Sequence, residues 1–194
     1  MNLPNKLTLM RIILIPFFML FLYWDIPYHM TIAFIIFAAA SITDALDGKI
    51  ARKYNLVTTF GKFADPLADK ILVLAALACL ADINAPGIPV NGIVITIIAA
   101  REFMVSGLRL VTAEKGVVVA AGIWGKLKTA FTMITIVLIL IWLMCIEDFN
   151  IICDGGTTAM ITLILTALVW ISVILTIISG GIYLKGYAKY IDTK

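Results

Sequence analysis

Apolar residues run along this chain in long blocks separated by short polar stretches. Six stretches, 7 to 23, 30 to 46, 66 to 83, 88 to 111, 127 to 146 and 157 to 184, are predominantly apolar. A helix needs about 20 such residues to cross the hydrocarbon core of a bilayer. The pattern therefore predicts an all-α polytopic membrane protein with six transmembrane helices, forming a single membrane domain over residues 1 to 194. Lys6 and Arg11, set among Leu3, Leu7, Leu9 and Ile12, predict a short amphipathic juxtamembrane segment ahead of the first span. The basic start followed by an apolar run has the look of a secretory leader. No small-residue cleavage site follows, and Pro16 and Phe17 continue into a full-length span, so the segment is read as mature protein.

Composition agrees with a bilayer as solvent: 62% of the residues are hydrophobic and mean hydropathy is +1.07, against about 45–50% apolar residues in soluble domains. Cys79, Cys145 and Cys153 lack metal-ligand spacing and are read as packing residues. The charge pattern orients the chain. Connections near 24 to 29, 84 to 87 and 147 to 156 contain no Lys or Arg, and all 15 basic residues lie toward the other ends of the predicted helices. The positive-inside rule then places both termini and the loops near 47 to 65 and 112 to 126 in the cytoplasm. The net charge of +3 is spent on topology and anionic headgroups and gives no reason to expect nucleic acid. Trp24, Tyr28, Tyr183 and Tyr187 are placed in the interfacial aromatic belt, and Ser179, Gly180 and Gly181 are expected to permit close helix approach.

Ionisable residues inside or beside membrane spans are costly and mark substrate or ion paths. The first such group runs from the second span to the third. Asp44 and Asp47 are three residues apart, Asp65 and Asp69 four apart, so each pair shares a helix face. Joined by a short turn, the pairs can converge at the membrane surface. Converging carboxylates repel unless a cation lies among them, and oxygen-only ligands favour a hard ion, Mg²⁺ or Mn²⁺. Gly48, Ala51 and Gly61 allow a ligand close to the backbone, and Arg52 and Lys62 are placed to hold phosphate oxygens.

The second group is Arg101, Glu102 and Arg109 in the fourth span, with Lys115, Lys126 and Lys128 around the next turn. Arg101 and Arg109 fall roughly on one helix face. Two readings stand: the arginines bind an anionic headgroup, or Arg101 simply pairs with Glu102 or another carboxylate. The three lysines serve topology or binding equally well. His29, in an outer turn, is not assigned a ligand role.

The segment Asp44 to Asp69 resembles the signature of the CDP-alcohol phosphatidyltransferase family, D-x-x-D-G-x-x-A-R, eight residues, then G-x-x-x-D-x-x-x-D, at every fixed position. That resemblance implies a six-helix fold, transfer of a phosphatidyl or related group from a CDP-linked donor to an alcohol with release of CMP, and a homodimer. It makes Asp44, Asp47, Asp65 and Asp69 ligands of two metal ions, with Asp69 also accepting the acceptor's hydroxyl proton. Asn5, Thr8, Gly48, Ala51, Arg52, Thr58 and Gly61 become the CDP-diacylglycerol contacts. The opening Asn2 to Arg11, the run Ala100 to Arg109 and Gly125 to Thr129 are similar to the bacterial phosphatidylglycerolphosphate synthases. That branch implies glycerol 3-phosphate as acceptor, its phosphate held by Arg101, Arg109, Lys126 and Lys128, in a bacterial cytoplasmic membrane. Inositol phosphate, serine or phosphatidylglycerol as acceptor would keep the same fold and chemistry. A cation transporter or a scaffold that binds ions is the rival outside this chemistry, and the one-sided acidic cluster and lack of an internal repeat argue against it.

Overall fold

The computed structural model describes the backbone of residues 2–53, 59–83, 85, 87–114 and 122–187. Six α-helices fill these residues: α1 Leu3–Tyr23, α2 His29–Lys53, α3 Thr59–Asp82, α4 Gly92–Glu114, α5 Ile123–Leu143 and α6 Gly155–Tyr187. No strand occurs among the described residues. Each predicted span corresponds to one helix, with ends shifted by up to seven residues, most at the end of α2 and the start of α3. The fourth starts late because Asn91 caps it: its side-chain oxygen accepts the Val94 N–H at 3.1 Å. The fifth runs on into one π-helical turn, Met144–Asp148.

Among the described residues, three stretches are long and apolar enough to cross a membrane: Asn5–Tyr23, Ile123–Asp148 and Gly155–Tyr187. The apolar part of α2, His29–Asp44, is shorter. Helices α3 and α4, at 24 and 23 residues, reach about 35 Å at 1.5 Å per residue. Length therefore suffices for both, and charge interrupts them: Asp65, Asp69 and Lys70 in α3, Arg101, Glu102 and Arg109 in α4. The expected N-terminal amphipathic segment is not a separate element. It forms the first turns of α1, where Pro4 is harmless because first-turn amides lack intrahelical partners.

The chain falls into two units, Met1–Ala85 with Val137–Asp154, and Pro86–Ile136 with Gly155–Lys194. In the first, α1 packs on α2 and α3, and α2 packs on α3 and on the π-helical turn. The buried stripe of α1 is Asn5, Thr8, Arg11, Ile15, Phe18 and Leu22, steps of three and four that define one helix face. Phe18 meets Phe37 of α2 with ring centroids 5.5 Å apart. Buried Ala33 and Ala40 on α2, with Ala64, Ala68 and Ala76 on α3, allow the close backbone approach that packs helices where lipid removes any hydrophobic drive between them. Asp148 caps α2 from 117 residues away: its carboxylate accepts the Met30 and Thr31 N–H groups and the Thr31 hydroxyl. His29 Nδ1–H donates to the Phe21 carbonyl at 3.3 Å, so its role there is structural.

The second unit inverts the soluble pattern. Along α6, Ser172, Thr176, Ser179, Tyr183 and Tyr187 are buried while Ile174, Ile177, Ile178 and Ile182 are exposed. On α5, Lys128, Thr132 and Thr135 are buried while Leu127 and Ile134 are exposed. Lipid accepts the exposed isoleucines without penalty, and polar side chains turn inward to find partners. Thr132 and Ser172 share a hydrogen bond of 2.6 Å, and each of Thr129, Thr132, Thr135 and Thr176 donates its hydroxyl to a carbonyl four residues earlier. All three cysteines are free thiols.

Candidate active site

The acidic signature lies on two helices that pack against each other, α2 and α3. Asp44 is 38% exposed at its side chain, and Arg11 of α1, which is fully buried, reaches it with Nη1 at 2.6 Å from Oδ1. A buried guanidinium without a counter-charge would be prohibitive. Asp44 therefore does two things at once: it neutralises Arg11 and presents a partly open carboxylate. Arg11 is thus not the interfacial residue that its apolar neighbours implied. Asn5 and Thr8, both buried, stand on the same stripe of α1.

Positions 47, 48, 51 and 52 continue along α2, and positions 61 and 65 lie in the first two turns of α3. The side chains of Asp47, Ala51, Arg52, Lys62 and Asp65 fall outside the described residues, as does Thr58. Asp69 is half-buried on α3, one turn beyond position 65. Among the described residues no three Asp, Glu, His or Cys side chains form a metal-holding group, and two members of the predicted quartet, Asp47 and Asp65, stand outside that set.

In the second unit, α4, α5 and α6 supply a buried ionic network. Arg101 and Glu102 are neighbours on α4, with Nη1 of Arg101 at 3.1 Å from the Glu102 carboxylate. Lys128 Nζ donates to the same carboxylate oxygen. Arg101 Nη2 also donates to Ser179 Oγ at 2.5 Å. The side chains of Arg101, Glu102 and Lys128 are only 10%, 14% and 5% exposed. Gly180 lets α6 come close to this arginine, since a Cβ at that position would sit 3.1 Å from Arg101 Cγ.

Two turns along α4, Arg109 is exposed and donates from Nη2 to Tyr183 Oη at 3.0 Å. The Tyr183 ring carries both cations, with the guanidinium carbons of Arg101 and Arg109 at 5.3 Å and 5.4 Å from its centroid. Arg101 pairs with Glu102, as the second reading expected, and its buried Nε has no hydrogen-bond partner among the described residues. Of the lysines, Lys126 is exposed on α5 and Lys128 is committed to Glu102. Lys115 lies outside the described residues.

Comparison with known proteins decides the family. Residues 1–178 match the CDP-alcohol phosphatidyltransferase family. The chain belongs to that family. It is 50% identical over 141 residues to the CDP-diacylglycerol--glycerol-3-phosphate 3-phosphatidyltransferase of Bacillus subtilis (strain 168), covering 66% of this chain and 70% of that one. The protein of the same name in Rickettsia bellii (strain RML369-C) is 39% identical over 189 residues, 97% of each chain. A probable phosphatidylglycerophosphate synthase of Mycobacterium tuberculosis (strain ATCC 25618 / H37Rv) is 42% identical over 132 residues, 66% of this chain and 60% of that one.

For this CDP-alcohol phosphatidyltransferase, the structure adds residues that spacing did not single out. Tyr183 and Tyr187 are buried, at 6% and 0% exposure, and so are not interfacial belt residues. Trp24 and Tyr28 are exposed as expected. A signal for Tyr183 does exist in the sequence: Ser172, Thr176, Ser179, Tyr183 and Tyr187 form a hydroxyl stripe at helical spacing on an otherwise apolar helix.

Proposed function

We propose that this chain transfers the phosphatidyl group of CDP-diacylglycerol to the sn-1 hydroxyl of glycerol 3-phosphate, giving phosphatidylglycerol phosphate and CMP. Family membership supports the donor chemistry. The acceptor reading is carried by the cationic face of α4, where Arg101 and Arg109 share one tyrosine and Arg101 keeps a donor to spare. Such a pair suits an acceptor that is itself a phosphate monoester. Relatives named for this acceptor, one of them alignable over 97% of both chains, support the same reading.

The donor set of α2 and α3 fits a hard divalent cation: all four candidate ligands are carboxylates, and the two helices that carry them are packed together. Asp44, Asp47, Asp65 and Asp69 would hold two Mg²⁺ or Mn²⁺ ions, which when bound supply charge neutralisation at the donor pyrophosphate. Asn5, Thr8, Gly48, Ala51, Arg52, Thr58 and Gly61 contact the donor. Arg101, Arg109 and Lys126 hold the acceptor phosphate, and Lys128 contributes through the carboxylate it shares with Arg101. Asp69 takes the proton of the sn-1 hydroxyl as its oxygen bonds to the phosphorus bearing diacylglycerol. The bond from that phosphorus to the bridging oxygen breaks, and CMP leaves with the electron pair. Positioning and electrostatics supply most of the acceleration in such a transfer.

The one-sided distribution of Lys and Arg supports a cytoplasmic site, with both termini on that side of a bacterial membrane. The homodimer belongs to the same proposal and rests on family resemblance. The test is acceptor kinetics. Arg109→Ala is expected to raise KM for glycerol 3-phosphate by about 10- to 100-fold, the loss of one hydrogen-bonded ionic contact, with KM for CDP-diacylglycerol within twofold of the parent. An equal rise in both constants would remove Arg109 from the acceptor site.

A further inference from the structure

The two arginines stand eight residues apart on α4; Glu102 of the same helix holds Arg101, while Arg109 is held from α6. One residue of α6 touches both. Tyr183 is 6% exposed, lies under both guanidinium carbons at nearly equal distances, and accepts the Arg109 Nη2–H at 3.0 Å. Its hydroxyl also accepts the Gly122 backbone N–H at 3.1 Å. Gly125, one turn further, leaves room for it, since a Cβ there would lie 3.2 Å from that oxygen. The phenolic oxygen thus acts as acceptor to both α4 and the start of α5.

We propose that Tyr183 is a positioning residue, which aligns Arg101 and Arg109 through its ring and hydroxyl and ties the start of α5 to them, so that the pair is preorganised for a phosphate monoester. This rests on the reading that these arginines bind the acceptor. The ring attracts each cation through its quadrupole, and the hydroxyl fixes Arg109 in one orientation. Without the tyrosine, an exposed arginine side chain must be ordered anew with each acceptor bound. Donor binding has no such dependence, because the residues assigned to the donor that the structure describes lie on α1, α2 and α3.

The test is steady-state kinetics on the full chain in detergent, with glycerol 3-phosphate and CDP-diacylglycerol varied separately, for Tyr183→Phe, Tyr183→Leu and Gly125→Ala. Tyr183→Phe keeps the ring and removes the hydroxyl. It is expected to raise KM for glycerol 3-phosphate about 10-fold, the scale of one hydrogen bond to a charged group, with KM for CDP-diacylglycerol within twofold. Tyr183→Leu, which removes both features, is expected to raise it further, and Gly125→Ala to move it in the same direction. If Tyr183→Leu does not fold, the phenylalanine variant alone decides. An unchanged acceptor KM in Tyr183→Phe, beside a raised one in Arg109→Ala, would overturn the positioning role and leave the arginine reading standing. Equal movement of both KM values in Tyr183→Phe would make the residue merely structural. Equal movement in Arg109→Ala would overturn both.

Discussion

Asp69→Asn is expected to lower the rate of CMP release by at least about 100-fold, and up to about 10,000-fold, the range over which a positioned general base accelerates a reaction. The substitution keeps the size and shape of a half-buried side chain on α3, and it removes a base and an anionic oxygen together. The folded protein should be as abundant and as monodisperse as the parent, because the replacement has the same size and the side chain is only half-buried. The measurement is the initial rate of CMP formation with both substrates saturating. A rate within tenfold of the parent would take Asp69 out of the chemistry.

Glu102→Leu has the largest expected effect on stability. Its carboxylate is the shared partner of Arg101 and Lys128, with Lys128 buried and the other two largely so within one unit. Removing the anion leaves two cations in a low-dielectric interior, and breaking a buried pair in this way costs about 3–5 kcal/mol. Denaturant titration in detergent should show that loss, and the double variant Glu102→Leu with Lys128→Met should recover part of it by removing one of the two cations that lose Glu102 as a partner. A midpoint equal to the parent's would show that the network contributes nothing to stability. Kinetics separate this residue from Tyr183: loss of Glu102 lowers the folded population, whereas loss of the Tyr183 hydroxyl changes the acceptor constant alone.

The helices were legible because lipid imposes a simple demand: blocks of about 20 apolar residues. The acidic signature was legible because fixed local separations put Asp44 near position 47 and Asp69 near position 65 on single helices. What spacing did not reveal are contacts between residues far apart in the chain. Arg11 read as an interfacial residue among leucines, yet it is buried against Asp44, 33 positions on. Tyr183 read as a belt aromatic near a span end, yet its burial comes from α4, 74 residues earlier. The capping of α2 by Asp148 is a contact of the same long-range kind. Lys128 read equally as a topology signal or a ligand, and only the position of Glu102 on the neighbouring helix shows its charge to be committed. In each case the buried polar group follows the inverted logic of a membrane interior, where the polar side chain, more than the apolar one, reveals what faces inward.

The most direct measurement of the central claim is incorporation of labelled glycerol 3-phosphate into lipid by the purified chain supplied with CDP-diacylglycerol and Mg²⁺, with CMP counted in the same reaction and inositol phosphate, serine and phosphatidylglycerol tried in parallel. One CMP is expected per labelled lipid formed, with glycerol 3-phosphate far ahead of the other acceptors. CMP release driven by one of the others would contradict the assigned acceptor, and no release with any of them would contradict the transferase itself.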